Sequence, residues 1–334
     1  MLSEEFPVEV ILEAIDNMAT TTSPSNKRPK VILFDIGGVC VSRTIISQKP
    51  PPTFPPPLIH PNIPTPQVIS PFQSILDYEL SLGIPPGWIN YSISRTAPSG
   101  FWHRLETGAI PMDAAFFAGF NRDLHDPARW EAFYRAQQAR NPALPKTVPP
   151  LPKLDGEWLF FDMMSSARAP DPWMFPALKA LKASGRYVVA ALSNTVIFPP
   201  DHEYSRGDFF EDPLRSLFDV FVSSAHVGLR KPDPEIYRLA LRRVDEFARA
   251  NADSERGRAL GWAEGVQAGE VVFLDDIGEN LKAAKAAGFG TIRVPLGRAY
   301  EAVEALEGVT GLALAGDHPK VPIKPNYKGS KAKI

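Results

Sequence analysis

Val31-Ile-Leu-Phe-Asp-Ile-Gly-Gly-Val-Cys40 runs four apolar residues into one aspartate and then a pair of glycines. A short apolar run bounded by Pro29 on one side and by glycine on the other predicts a buried strand. Asp35 then stands at the tip of that strand as either a turn residue or a nucleophile. The rest of the chain decides between them.

Downstream of Pro170 the pattern alternates. Helices are predicted over Met174–Ser184, Phe209–Leu217, Pro234–Ala250, Glu279–Ala287 and Tyr300–Leu306. Apolar strand runs are predicted at Tyr187–Leu192, Val220–Ser223, Val271–Leu274 and Thr291–Val294. Such alternation implies an α/β fold with a doubly wound parallel sheet. Between Phe72 and Arg168 the periodicity is helical, with Asp126 and Asp155 as start signals. The first strand lies far upstream of the others, so this block is an all-helical insertion. The predicted organisation is a flexible arm over 1–29, an α/β core over 30–43 and 170–310, a proline-rich insertion over 44–71, a helical cap over 72–169 and a flexible tail over 311–334.

The chain has 334 residues, 44% of them hydrophobic, enough for a sizeable core. Lys and Arg number 36 against 38 Asp and Glu, so no basic field points to nucleic acid. Cys40 is the single cysteine, which excludes a disulfide framework within the chain and a cysteine-built zinc site, and fits a reducing, cytoplasmic setting. No stretch has the unbroken apolar length of a membrane span. Ten of the 22 residues from Pro50 to Pro71 are proline, which reads as polyproline II or disorder. Lys49-Pro-Pro-Pro-Thr-Phe-Pro55 fits the basic P-x-x-P pattern of SH3 ligands. Removing Arg43–Ser70 would join Val41-Ser42 directly to the first helix of the insertion.

In an open parallel sheet, ligands sit outside the carboxyl ends of the strands. Asp35 follows the first strand, Ser193-Asn194-Thr195 the second, and Asp275-Asp276 a later one, while Lys231 precedes a helix start in Gly228-Leu-Arg-Lys-Pro-Asp-Pro234. Three carboxylates, a hydroxyl, an amide and an ammonium thus meet at one edge. A carboxylate can attack phosphorus. Both partners are anionic, so a cation is needed between them, and hard oxygen ligands select Mg²⁺.

Phe34-Asp-Ile-Gly-Gly-Val39, Ala191-Leu-Ser-Asn-Thr195, Lys231-Pro-Asp-Pro-Glu-Ile-Tyr237 and Val271-Val-Phe-Leu-Asp-Asp-Ile-Gly-Glu-Asn-Leu281 resemble the four ordered motifs of the haloacid dehalogenase-like hydrolases. The last is especially similar to the N-terminal phosphatase domain of soluble epoxide hydrolases. The resemblance implies that Asp35 is the nucleophile and a metal ligand, with the backbone carbonyl of Gly37 and Asp276 as further ligands and Asp275 acting through water. It implies that Ser193 and Lys231 bind phosphate, that Asn194 lines the site, and that the helical block closes over a small phosphorylated molecule. One departure stands out. Phosphatases of this family usually carry aspartate two residues after the nucleophile, as acid and base, and here that residue is Gly37. The resemblance therefore implies slow phosphatase turnover, or else a non-catalytic binding protein on the same fold, or metal-free carbon–halogen hydrolysis.

Overall fold

β1 (Val31–Phe34) lies at the centre of a five-stranded sheet in the computed structural model, which describes residues 28–44, 68–69, 71–166, 169–205 and 212–323. The remaining strands are β2 (Val41–Thr44), β3 (Val68–Ile69), β4 (Ala169–Pro170), β5 (Val188–Ser193), β6 (Val220–Ser223), β7 (Val271–Asp275) and β8 (Gly290–Arg293). The main sheet has the order β6-β5-β1-β7-β8 and every pairing in it is parallel. The four residues of β1 are buried because the strand is covered on both faces. Ile32 and Phe34 pack into one layer, with the helix Met174–Ser184 and the helix Ala299–Thr310. Val31 and Leu33 pack into the other, against Ile236, Tyr237, Ala240, Val244 and Ala248 of the helix Pro234–Ala250. The three- and four-residue spacing of those five side chains places them on one helix face.

The helices between β3 and β4 are α1 (Pro71–Ser81), α2 (Trp88–Arg95), α3 (Phe101–Glu106), α4 (Ala114–Leu124), α5 (Pro127–Arg140) and α6 (Gly156–Ser166). They enclose a core of their own, rich in rings: Trp88, Trp102, Phe116, Phe120, Trp130 and Phe160 are all buried. Asp113, Asp126 and Asp155 accept hydrogen bonds from the backbone N–H three residues on, at the starts of α4, α5 and α6. A small antiparallel sheet, β3-β2-β4, joins this unit to the core. Val41 and Ser42 pair with Pro170 and Ala169, and Arg43 and Thr44 with Ile69 and Val68. The two ends of segment 45–67 therefore meet, a geometry that admits a long insertion because loop-closure cost grows only logarithmically with length. Removing Arg43–Ser70 would take the β2–β3 pairing with it. The polyproline reading and the SH3-type pattern at Lys49–Pro55 lie outside the described residues, as does most of the predicted arm.

Three features differ from the sequence expectations. The predicted helix Phe209–Leu217 is, among its described residues, a single 3₁₀ turn at Arg215–Leu217. The expected flexible tail is packed over its first part: Leu314 is buried, the Trp173 indole donates to the Pro319 carbonyl at 3.1 Å, and Lys320 pairs with Glu304. Helix α2, not expected from the sequence, starts at Gly87 without a side-chain cap of its own. Its cap comes from α1: the buried Glu79 carboxylate accepts from the backbone N–H groups of Gly87 at 2.6 Å and Ile89 at 2.7 Å.

Burial pushes the Glu79 carboxyl from 4.5 up to about 7, although the Gly87 and Ile89 donors pull it down. A raised folded-state value means that the folded protein holds this proton more tightly than the unfolded chain does. The stabilisation is full below about pH 4.5 and is lost as pH rises through 7, with a magnitude on the order of 3 kcal/mol. Urea unfolding of Glu79→Gln, which keeps one acceptor and no charge, should show a shallower fall than the wild type between pH 4.5 and 7, most clearly between pH 6 and 7, above the Asp35 range. An unchanged slope would locate the titration elsewhere.

Candidate active site

The carboxyl ends of β1, β5 and β7 lie side by side, because β1 pairs with β5 on one edge and with β7 on the other. The three strands deliver Asp35, Ser193 and Asp275-Asp276 to one place. The fourth contribution comes from the loop ahead of α9 (Pro234–Ala250), where α7 is Met174–Ser184 and α8 Ser224–Val227. That loop brings in Lys231, whose side chain is completely buried. Its ammonium lies 2.9 Å from Asp35 Oδ2, 2.7 Å from Asp275 Oδ2 and over the Phe273 ring. Burial works against the Lys231 charge, but the carboxylates of Asp275 and Asp35 outweigh it and raise the pKa.

Asn194 fastens the lysine loop to β5. Its side-chain amide donates to the Lys231 carbonyl and its oxygen accepts from the Lys231 N–H, at 3.1 and 2.8 Å. This places Asn194 as a brace beneath Lys231. Ser193 is buried beside it, with a long 3.4 Å contact from its hydroxyl to the Asn194 carbonyl. Asp35 Oδ1 accepts from the Ile36 N–H at 2.7 Å, so the carboxylate is oriented from its own backbone. Cys40 is buried and its thiol donates to the Asp35 carbonyl.

The paired acids have different surroundings. Asp275 accepts from the Ile277 N–H, from Lys231, and from the Asn280 amide on both oxygens. Asn280, buried in α10 (Gly278–Ala286), thus holds Asp275 in place. Asp276 has no such shell: its Oδ1 is buried without a hydrogen-bond partner. Oxygen atoms of Asp35, Asp275 and Asp276 lie within 4.8 Å of one another. Burial, then the neighbouring Asp275 and Asp35, drives the Asp276 carboxyl well above its usual value. Asp35 is pushed up to about 6 by burial, with Lys231 opposing and Asp275 adding to the rise. Three crowded acids offset by one ammonium, with one oxygen unsatisfied, form a donor set that fits a hard divalent cation. The structure therefore draws Asp35, Lys231, Asp275 and Asp276 into one cluster, with Asn194 bonded to the Lys231 backbone and Ser193 at the end of the neighbouring strand; a Cβ added at Gly37 would meet nothing within 4 Å.

Two residues of the helical unit that the sequence did not single out also reach this edge. Glu106 and His103 of α3 are buried, and the Glu106 carboxylate pairs with Arg230 at 2.7 Å. Arg230, the partner of Glu106, lies 124 residues away in sequence.

A family model described as haloacid dehalogenase-like hydrolase matches residues 29–288. Acyl-CoA dehydrogenase family member 10 of Mus musculus is 25% identical over 295 residues, 88% of this chain and 20% of that protein. Bifunctional epoxide hydrolase 2 of Sus scrofa is 27% identical over 236 residues, 71% of this chain and 35% of that protein. Sesquiterpene phosphatase astK of Aspergillus oryzae is 32% identical over 128 residues, 38% of this chain and 52% of that protein. The chain thus spans between a fifth and about half of the length of these relatives.

Proposed function

The chain belongs to the haloacid dehalogenase-like hydrolases, and from that premise we propose that it is a Mg²⁺-dependent phosphatase acting through Asp35 on a small phosphate monoester. The observation that carries the reading is the Asp35–Lys231–Asp275 contact set beside the unsatisfied oxygen of Asp276. A buried carboxylate oxygen without a partner, beside two further carboxylates, is a place for a cation, which favours phosphate chemistry over metal-free carbon–halogen hydrolysis. A relative described as a phosphatase is consistent with this choice.

Asp35, Asp276 and the Gly37 carbonyl would hold the cation, with Asp275 behind them through water. The cation supplies charge neutralisation between carboxylate and phosphate. Lys231 and the Ser193 hydroxyl bind phosphoryl oxygens, and the Lys231 charge offsets the negative charge that develops there. One Asp35 oxygen bonds to phosphorus as the ester P–O bond breaks, and the leaving oxygen takes a proton from solvent water. Water then cleaves the acyl phosphate, releasing inorganic phosphate and restoring the carboxylate. With Gly37 in place of an acid, nothing on β1 donates that proton. Turnover should therefore be slow, and faster on aryl or acyl phosphates, whose leaving groups need less protonation.

The test is a phosphate-ester panel run with Mg²⁺ and with EDTA. Turnover on p-nitrophenyl phosphate should exceed that on alkyl phosphates and fall more than tenfold in EDTA. Metal-independent turnover, or none on any ester, would sink the proposal. In the second case a non-catalytic binding role on this fold takes its place.

A further inference from the structure

Glu106 is the residue through which the helical unit grips both loops of the candidate phosphate clamp. Its carboxylate accepts from Arg230 Nε at 2.7 Å and lies 2.7 Å from Arg230 Nη2. Arg230 is bonded directly to Lys231, so this pair fixes the strand of backbone that carries the buried ammonium. The Glu106 carbonyl accepts from the Ser224 hydroxyl at 2.6 Å. That same hydroxyl accepts from the Thr195 N–H at 2.8 Å, which secures the loop carrying Ser193 and Asn194. The contact is close as well as polar. Gly108 follows α3 at φ +66°, and a Cβ there would stand 2.3 Å from the Ala225 carbonyl oxygen. Only glycine lets the end of α3 reach α8. His103, one turn before Glu106, is buried and held neutral: burial and then the Arg230 charge lower its pKa to about 4.

We propose that Glu106 is a positioning residue for the hydrolysis: through Arg230 it sets the place of Lys231, so that the phosphate clamp is complete only while α3 is seated on the core. The inference rests on the phosphatase reading. It adds that a residue of the helical unit, which touches no reacting atom, governs phosphate affinity and rate together. Misplacement of a binding group by about 1 Å can cost on the order of 100-fold.

The test uses the full chain with Mg²⁺, reading inorganic phosphate affinity by titration calorimetry, kcat and KM on p-nitrophenyl phosphate, and the melting temperature. Glu106→Gln should weaken phosphate binding about tenfold or more and lower kcat by a similar factor. Glu106→Asp, which keeps the charge, should recover part of both. Arg230→Gln should match Glu106→Gln, and the double variant should be no worse than Arg230→Gln alone. A lowered melting temperature with unchanged phosphate affinity and kcat would reduce Glu106 to a structural contact and overturn the proposal. Multiplying losses in the double variant would also overturn it, because Glu106 would then not act through Arg230. If Glu106→Gln fails to fold, Glu106→Asp and Arg230→Lys carry the same comparison. A wild type that binds no phosphate overturns the phosphatase reading itself, a result distinct from a wild type that binds it as the variants do.

Discussion

Asp35→Asn should abolish turnover and yet leave a protein that is more stable without metal at neutral pH. The loss follows from chemistry. An amide neither attacks phosphorus as a carboxylate does nor forms the acyl phosphate, and removing a hydrolase nucleophile costs on the order of 10⁴–10⁶-fold in kcat. The gain follows from the surroundings. Asp35 shares a cluster with Asp275 and Asp276, and among the described residues Lys231 is the ammonium in contact with it. Its folded-state pKa of about 6, against 3.8, means that the folded protein favours the protonated form. That contribution is present below about pH 4 and is lost as pH rises through 6, on the order of 3 kcal/mol in all. Asparagine is neutral at every pH and keeps an oxygen for the Ile36 N–H. Lys231 retains Asp275 at 2.7 Å. Denaturant titrations of metal-free wild type should therefore show midpoints falling between pH 4 and 6, and Asp35→Asn should flatten that fall. Mg²⁺ should raise the wild-type midpoint at pH 7 more than that of the variant. Retained turnover in Asp35→Asn would remove the nucleophile assignment, and a parallel pH slope in both proteins would place the titration on another group.

The sheet was readable because each of its strands is a short apolar run that ends in a turn signal. Val220–Ser223 and the helices Met174–Ser184 and Pro234–Ala250 fall at their expected limits. The site was readable for the same reason: ligands collect where parallel strands end, so Asp35, Ser193 and Asp275 could be placed from the run preceding each. What escaped was whatever depends on a distant partner. Helix α2 has no local cap and is nucleated against Glu79, eight residues before Gly87. Asn280 has no local sign of binding Asp275, and Glu106 none of meeting Arg230. Asp276 shows the converse case. The resemblance to the family's last motif implied different roles for the two acids, and the packing gives them different surroundings, satisfying Asp275 and leaving Asp276 Oδ1 without a partner. The packed stretch 311–323 was missed because its anchors are mostly backbone groups: the Pro319 carbonyl under Trp173, and the Ile323 N–H bonded to the Gly297 carbonyl.

Gly37→Asp should be a gain-of-function substitution, raising kcat on alkyl phosphates by about 10²–10⁴-fold, the usual contribution of a general acid–base group. The backbone admits it. Gly37 is absent from the glycines with positive φ, unlike its neighbour Gly38 at +77°, and a Cβ at Gly37 would meet nothing within 4 Å. The new carboxyl would stand two residues from Asp35, and a like charge nearby raises a carboxyl pKa, which favours the protonated, donating form. The size of the gain should depend on the ester. An alkyl leaving oxygen needs the proton, so both formation and hydrolysis of the acyl phosphate improve. On p-nitrophenyl phosphate only the second step draws on the new group, so the gain should be smaller. The ratio of the two gains is the measurement that matters, because a change in folding or metal affinity would raise or lower both esters alike. An equal effect on both esters, or none, would mean that the proton already comes from a group outside β1.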